Sequence, residues 1–249
     1  MGVVRAGLSP LAEARSTGGL LIAEIFGPTI QGEGPSAGRP ATFVRLSECN
    51  LHCVWCDTAY TWDWRQYDRA KEQRIESVED VAQTVLAKGA PILVISGGEP
   101  LMQAEAVGHL IERIKKARRI KVEVETNGTF APAMVALPNR FNVSIKLSGN
   151  GADSQRVRIR PHAIEALRET GRAVWKFVVS ANQAQEIAEV ERIVAQFRLP
   201  PGRVWLMPEG TYPGRIHLGL QRLVEPCVEH GWNLSPRLQV MIWGAARGR

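Results

Sequence analysis

The sequence predicts an α/β fold in which about six βα units build one parallel sheet, and three observations carry that expectation. Short, continuous apolar runs of strand length recur along the 249-residue chain. Amphipathic helical stretches alternate with them. No linker of distinct composition divides the series, so one core domain is expected over residues 19–249, after a flexible N-terminal lead-in, residues 1–18, of Gly, Pro, Ser and mixed charge.

Residues 20–26 form the first apolar run. Residues 27–35, Gly-Pro-Thr-Ile-Gln-Gly-Glu-Gly-Pro, read as a turn that brings backbone close to something. Residues 41–47 are the next strand and deliver a polar loop. The aromatic cluster Tyr60, Trp62, Trp64 and Tyr67 could stack on a planar ligand, although covering a hydrophobic face is the plainer role. Residues 64–76 are charged and aperiodic, as in a solvated loop. Ser77-Val78-Glu79-Asp80 opens a helix in capping-box style that runs to Lys88 and stops at Gly89. Residues 92–96 have the composition of a strand buried on both faces. A helix over 104–117, a strand over 121–125, a short helix, a strand over 142–146, a helix over 162–170 and a strand over 173–179 continue the alternation. Ile187, Val190, Ile193, Val194 and Phe197 form one stripe of the next helix. A strand over 203–207, a helix near 221–230 and a last strand over 237–242 complete the count.

Lys and Arg total 31 against 25 Asp and Glu, a formal charge of +6 that suits acidic small molecules. The densest basic run, residues 115–119, ends a predicted helix, where cations complement the dipole, and no aromatics interleave it as nucleic-acid binding would need. The first nineteen residues hold no apolar core of signal-peptide length, and no run of eighteen apolar residues occurs, so a cytoplasmic protein without membrane or nucleic-acid partners is expected.

Three of the four cysteines, Cys49, Cys53 and Cys56, fall within eight residues. Such a group can be a redox pair with a spare thiol, half of a zinc site, or a three-thiolate cradle for an iron–sulfur cluster. Zinc prefers a second C-x2-C pair, and only the distant Cys227 remains. A helical face of small core residues would have to carry Asn50, His52 and Asp57 as well. Three ligands leave one metal corner vacant, and the spacing therefore favours a catalytic cluster with an open iron. Crowded thiols without a disulfide framework also imply a reducing compartment. The polar and Gly-rich segments 49–58, 96–100 and 125–128, with Ser144, Lys146 and residues 206–209, all follow strand ends. In parallel sheets that rim is where ligands sit.

Cys49-x3-Cys53-x2-Cys56, with Ser96-Gly97-Gly98-Glu99-Pro100 after the following strand, resembles the radical S-adenosylmethionine superfamily. Within it, Gln31-Gly32-Glu33-Gly34, Phe43-Val44-Arg45, Cys49-Asn50-Leu51 and Cys56-Asp57-Thr58 resemble the 7-carboxy-7-deazaguanine synthases of queuosine and 7-deazapurine biosynthesis. The resemblance implies a partial, incomplete TIM-like β/α barrel with an N-terminal strand and a C-terminal extension. It also implies a radical lyase that converts 6-carboxy-5,6,7,8-tetrahydropterin to 7-carboxy-7-deazaguanine with loss of ammonia. Hydrogen would be taken from carbon 6 by a 5′-deoxyadenosyl radical, with S-adenosylmethionine regenerated.

By the same resemblance, Cys49, Cys53 and Cys56 would hold a 4Fe–4S cluster and Thr58 a Mg2+ ion. Trp55, Cys56, Asp57, Gly98, Ser144, Ile145, Lys146, Leu206, Met207, Pro208 and Glu209 would hold S-adenosylmethionine, with Glu125 a secondary contact. Ile30, Gln31, Gly32, Arg45 and Ser96 would bind substrate, Arg45 through the substrate carboxylate. No catalytic side chain beyond cluster and cofactor is implied. The partners implied are an electron donor such as flavodoxin or ferredoxin, and a second copy in a homodimer. Two other functions fit less of the pattern: a glycyl-radical activating enzyme acting on a protein, and a zinc-stabilised binding module.

Overall fold

The computed structural model describes residues 8–180 and 183–249. Helix α1 (Pro10–Thr17) starts where Ser9 Oγ accepts the Ala12 N–H at 3.3 Å and stops at Gly18, φ 66°. Its Ala14 is fully buried. Residues 10–17 of the expected flexible lead-in are therefore an ordered helix, and residues 1–7 of it lie outside the described residues.

Strand β1 (Leu20–Ile30) pairs antiparallel with β2 (Pro40–Leu46), Phe26 opposite Phe43. Residues 27–30 of the turn expected over 27–35 are thus the outer end of β1, with irregular register between Phe26 and Thr29. Residues 64–76 are not all loop. Helix α2 (Arg69–Glu72) is capped by Asp68, and β3 (Arg74–Glu76) lies antiparallel to Leu20–Ile22. Both elements are too short for a periodic signal.

From there the βα alternation holds. α3 (Val78–Lys88) begins where Ser77 Oγ accepts the Asp80 N–H at 3.1 Å. Next come β4 (Ile92–Gly97), α4 (Ala104–Ala117) and β5 (Lys121–Thr126). β6 (Arg140–Ser144), α5 (Gln155–Arg158), α6 (Pro161–Glu169), β7 (Ala173–Val179) and α7 (Gln183–Phe197) follow. The chain continues through β8 (Val204–Pro208), α8 (Pro213–His230), β9 (Asn233–Leu234) and α9 (Leu238–Trp243). The sheet order is β3-β1-β2-β4-β5-β6-β7-β8-β9, parallel from β2 onward and open between β3 and β9. This is the partial TIM-like barrel expected.

Three expectations are corrected. Residues 127–139 form no helix; the segment carries Pro132 and Pro138 and packs on α4, where a Cβ on Gly108 would lie 2.9 Å from the Met134 Cβ. α8 begins eight residues before position 221, with Pro213 in its first turn. Its Gly219 reads as a breaker but serves close packing, because a Cβ there would lie 2.4 Å from Pro208 Cβ. Residues 237–242 are helix rather than strand: the last strand is the two-residue β9, and α9 then turns over the mouth of the barrel, with the Leu238 N–H on the Gly32 carbonyl at 3.0 Å.

Period-two alternation sorts the strand residues onto two faces. Leu93, Ile95, Val122, Val124, Phe141, Val143, Trp175 and Phe177 face the helices and join the main core with Leu110, Ile111, Ile114, Leu167 and Val190. Burying each such side chain contributes about 1.5–3 kcal/mol. The alternate positions, Arg45, Ser96, Glu125, Asn142, Ser144, Lys176 and Met207, face inward. Only Lys176 of this inner polar set lies inside an otherwise apolar run. Among the described residues no helix is long and apolar enough to cross a membrane.

Candidate active site

The inward residues and the loops at the carboxyl ends of the strands enclose one cavity of about 620 Å3. Its floor is set where the cluster loop leaves β2. The Gly98 N–H donates to the Leu46 carbonyl at 3.0 Å and the Glu99 N–H to the Glu48 carbonyl at 2.8 Å, which clamps the loop to the end of β4. That contact requires glycine: a Cβ on Gly97 would lie 2.1 Å from the Leu46 oxygen, and one on Gly98 1.9 Å from the Glu48 oxygen. Glu99 is fully buried and accepts from the Leu101 N–H, the Thr126 hydroxyl and the Asn127 N–H at 2.7–2.9 Å, tying the ends of β4 and β5 together.

Cys49, Cys53 and Cys56 all line the cavity, and every cysteine in the chain is free. Each of the three sulfurs accepts an N–H. Trp62 Nε1 lies 3.3 Å from Cys56 Sγ, Asn150 Nδ2 3.5 Å from Cys53 Sγ, and the Leu51 backbone N–H 3.5 Å from Cys49 Sγ. Burial pushes the Cys49 thiol up to about 12 and raises Cys53 as well. Such thiols give up their protons to a cation rather than to water. Among the described residues no group of three His, Cys, Asp or Glu is gathered tightly enough for a single metal ion. A multi-iron cluster takes each thiolate on a different iron.

Beside the thiols, Trp55 donates its indole N–H to the Gly149 carbonyl at 2.8 Å, and Lys146 Nζ sits 5.7 Å from the Trp55 ring centre while donating to Ser144 Oγ at 2.7 Å. Thr58 Oγ1 is 3.6 Å from Cys56 Sγ. Asp57 pairs with Arg237.

The opposite half of the cavity is charged. Arg45 Nε donates to Glu24 Oε1 at 2.7 Å, its Nη1 lies 3.3 Å from Ser96 Oγ, and Tyr60 donates to the same Glu24 oxygen at 2.5 Å. Lys176 Nζ donates to Glu33 Oε2 at 2.6 Å and Glu125 Oε2 at 2.9 Å. Gln31 Nε2 reaches Glu125 Oε1 at 3.2 Å, while Gln239 and Arg237 donate to Glu33 Oε1 at 2.8 and 3.2 Å. Burial alone would push the Glu33 carboxyl up, but Lys176 and Arg237 hold it down at about 2. Burial would likewise lower Lys176, and Glu125 and Glu33 outweigh it.

The structure thus brings Ile30, Gln31, Gly32, Arg45, Ser96, the three cysteines, Trp55, Asp57, Thr58, Gly98, Ser144, Lys146 and Met207 to one cavity. Four expected cofactor residues do not line it. Ile145 and Leu206 belong to the hydrophobic core, Pro208 packs on Gly219, and Glu209 pairs with Arg215. Glu125, expected at most as a secondary cofactor contact, sits in the charged half. Lys176, Glu33 and Arg237 carried no expected role, whereas Gln239 belongs to the C-terminal segment, residues 235–249, that was expected either to help close the substrate pocket or to pack at the surface. A lysine inside the apolar run 173–179 is a signal that could have found Lys176, whereas Arg237 and Gln239 lay in a segment read as strand.

The Radical SAM superfamily profile matches residues 44–179. The 7-carboxy-7-deazaguanine synthase of Pyrobaculum aerophilum is 35% identical over 232 residues, 92% of this chain and 96% of its own length. That of Hyperthermus butylicus is 32% identical, covering 90% of this chain and 92% of its own. In fold, the chain is similar to the crystal structure of QueE from Escherichia coli, with a TM-score of 0.64 at 24% identity over 92% of this chain and 98% of that one.

Proposed function

We infer that this site makes 7-carboxy-7-deazaguanine from 6-carboxy-5,6,7,8-tetrahydropterin, because the chain belongs to the 7-carboxy-7-deazaguanine synthase family of the radical S-adenosylmethionine superfamily. The single observation that carries this reading beyond the family is the cavity itself, which has three free thiols on one side and the half-buried Arg45 guanidinium on the other. Bound there, a 4Fe–4S cluster and S-adenosylmethionine would supply the electron for reductive cleavage of the sulfonium and, with release of methionine, the 5′-deoxyadenosyl radical that starts the ring contraction.

The chain's own part is to bind and to orient. Cys49, Cys53 and Cys56 hold the cluster. Gly98 presents backbone without a side chain, and Trp55, Asp57, Ser144, Lys146 and Met207 surround the remaining cofactor volume. Arg45 is held by Glu24 with Nη1 near Ser96, so its fork can meet a carboxylate. Gln31, Glu33 and Glu125 offer an amide and two carboxylates to the N–H-rich edge of a pterin. Lys176 and Arg237 keep Glu33 ionised as an acceptor at neutral pH, and Lys176 also donates to Glu125.

Thr58 supplies one hard oxygen beside the cysteine loop, and with the substrate carboxylate it would complete a Mg2+ site that keeps several waters. The homodimer and a flavodoxin- or ferredoxin-like donor rest on the family alone. Mass measurement in solution and single-turnover reduction by the purified donor check them.

Anaerobically reconstituted protein with S-adenosylmethionine, Mg2+, reductant and the carboxytetrahydropterin should yield a product of the deazaguanine's mass. Cleavage of S-adenosylmethionine without that product would overturn the substrate assignment. Turnover unchanged by chelating Mg2+ would overturn the Thr58 site.

A further inference from the structure

We propose that Trp62, Asn150 and Asn127 act as positioning residues that set the cluster's reduction potential, each by directing one N–H at the sulfur of a different cysteine. This rests on the reading of Cys49, Cys53 and Cys56 as the cluster's thiolates. Trp62 Nε1 stands 3.3 Å from Cys56 Sγ, Asn150 Nδ2 3.5 Å from Cys53 Sγ and Asn127 Nδ2 3.9 Å from Cys49 Sγ. The donors come from three separate stretches: the segment just after the cluster loop, the loop after β6 and the loop after β5.

Other contacts hold each donor in place. Asn150 is 1% exposed, and its Nδ2 also donates to Asp153 Oδ2 at 2.8 Å. Asn127 is 6% exposed; its Nδ2 also donates to Asn50 Oδ1 at 3.0 Å, and its Oδ1 accepts the Thr129 N–H at 3.0 Å and hydroxyl at 2.6 Å. The Trp62 ring stands edge-on to His52 at 5.1 Å. An indole N–H can only donate, and among the described residues Cys56 Sγ is the acceptor it meets.

Reduction adds one electron, whose charge spreads onto the thiolate sulfurs. An N–H dipole aimed at sulfur stabilises the more negative state most, so each contact raises the potential, and more strongly in a water-poor cavity. Three such contacts bring the cluster within reach of a low-potential one-electron donor. Removing one makes the cluster harder to reduce without removing a ligand.

The test is a mediated redox titration of the anaerobically reconstituted full chain, followed by electron paramagnetic resonance, with Trp62→Phe and Asn150→Leu beside wild type. Each variant should hold as much iron as wild type. At the poise where half the wild-type cluster is reduced, its reduced-to-oxidised ratio should fall about tenfold, a midpoint about 59 mV lower for one electron. Full iron with an unchanged midpoint in both variants would overturn the proposal while leaving the cluster assignment intact. Wild type that takes up no iron overturns both. Should a variant fail to take up iron, wild type and Trp55→Phe, both labelled with nitrogen-15 tryptophan, decide the Trp62 contact: a nitrogen-15 coupling on the reduced cluster is expected in both, and its absence from Trp55→Phe overturns the contact.

Discussion

The α-carbon of Gly98 lies so close to Glu48 that a Cβ would come within 1.9 Å of the Glu48 carbonyl oxygen and 2.4 Å of its carbon. Both are backbone atoms at the entrance to the cysteine loop, so nothing flexible can give way. Gly98→Ala should therefore displace the loop, cost about 1–3 kcal/mol in folding stability and lower iron uptake on reconstitution. Gly202→Ala, where a Cβ meets nothing within 4 Å, should leave iron content unchanged. Equal iron in both variants would show that the clamp does not position the thiols.

Arg45 is held by Glu24 with Nη1 near Ser96, a setting for a two-pronged grip that lysine cannot reproduce. Arg45→Lys should lower kcat/KM for the pterin by roughly ten- to a hundredfold, the loss of about 1.5–3 kcal/mol of charge-assisted bonding. Iron content and binding of S-adenosylmethionine should not change. Steady-state kinetics checks the first, and iron assay with equilibrium binding the second.

Glu33 sits between Lys176 and Arg237, and Glu33→Gln leaves buried cations short of a partner, which costs about 3–5 kcal/mol. The pH dependence follows from the lowered carboxyl. Its contribution is fully present above the ordinary value of 4.5 and is lost as pH falls through about 2. The stability gap between wild type and Glu33→Gln should thus stay constant near neutral pH and narrow below 4.5. Thermal unfolding of the metal-free protein across that range measures it, and a gap that widens in acid would contradict the assignment.

Cys227 is buried on α8 among core residues, where desolvation pushes its thiol up to about 11. It does not line the cavity. Cys227→Ser should leave iron per chain and the cluster's absorption unchanged, at a stability cost of about 1–3 kcal/mol for a buried hydroxyl. Loss of iron in this variant would bring the fourth cysteine into the cluster.

Most of the sheet was legible because its strands are short, rich in buried β-branched and aromatic residues and bounded by turns, residues 92–96 as a continuous apolar run, and α4 and β7 fall at their expected limits. The cysteine spacing located the site. Illegible parts were those decided by tertiary contact. Residues 237–242 alternate like a strand, but Gln239 fits over Gly32, where a Cβ would come within 1.6 Å of Gln239 Oε1, and the segment coils as α9 instead. Short α2 and β3 lack a period to detect. Glu33, Lys176 and Arg237 are far apart in sequence, and their pairing exists only once β7 and the C-terminal segment meet the loop after β1.

The assignment stands on three cysteines holding a cluster whose remaining iron is free for S-adenosylmethionine. The most direct measurement is the electron paramagnetic resonance spectrum of the reduced, reconstituted protein before and after S-adenosylmethionine is added, with iron counted on the same sample. We expect about four irons per chain and a signal that shifts on addition. A colourless zinc protein, or an iron signal indifferent to S-adenosylmethionine, would contradict it.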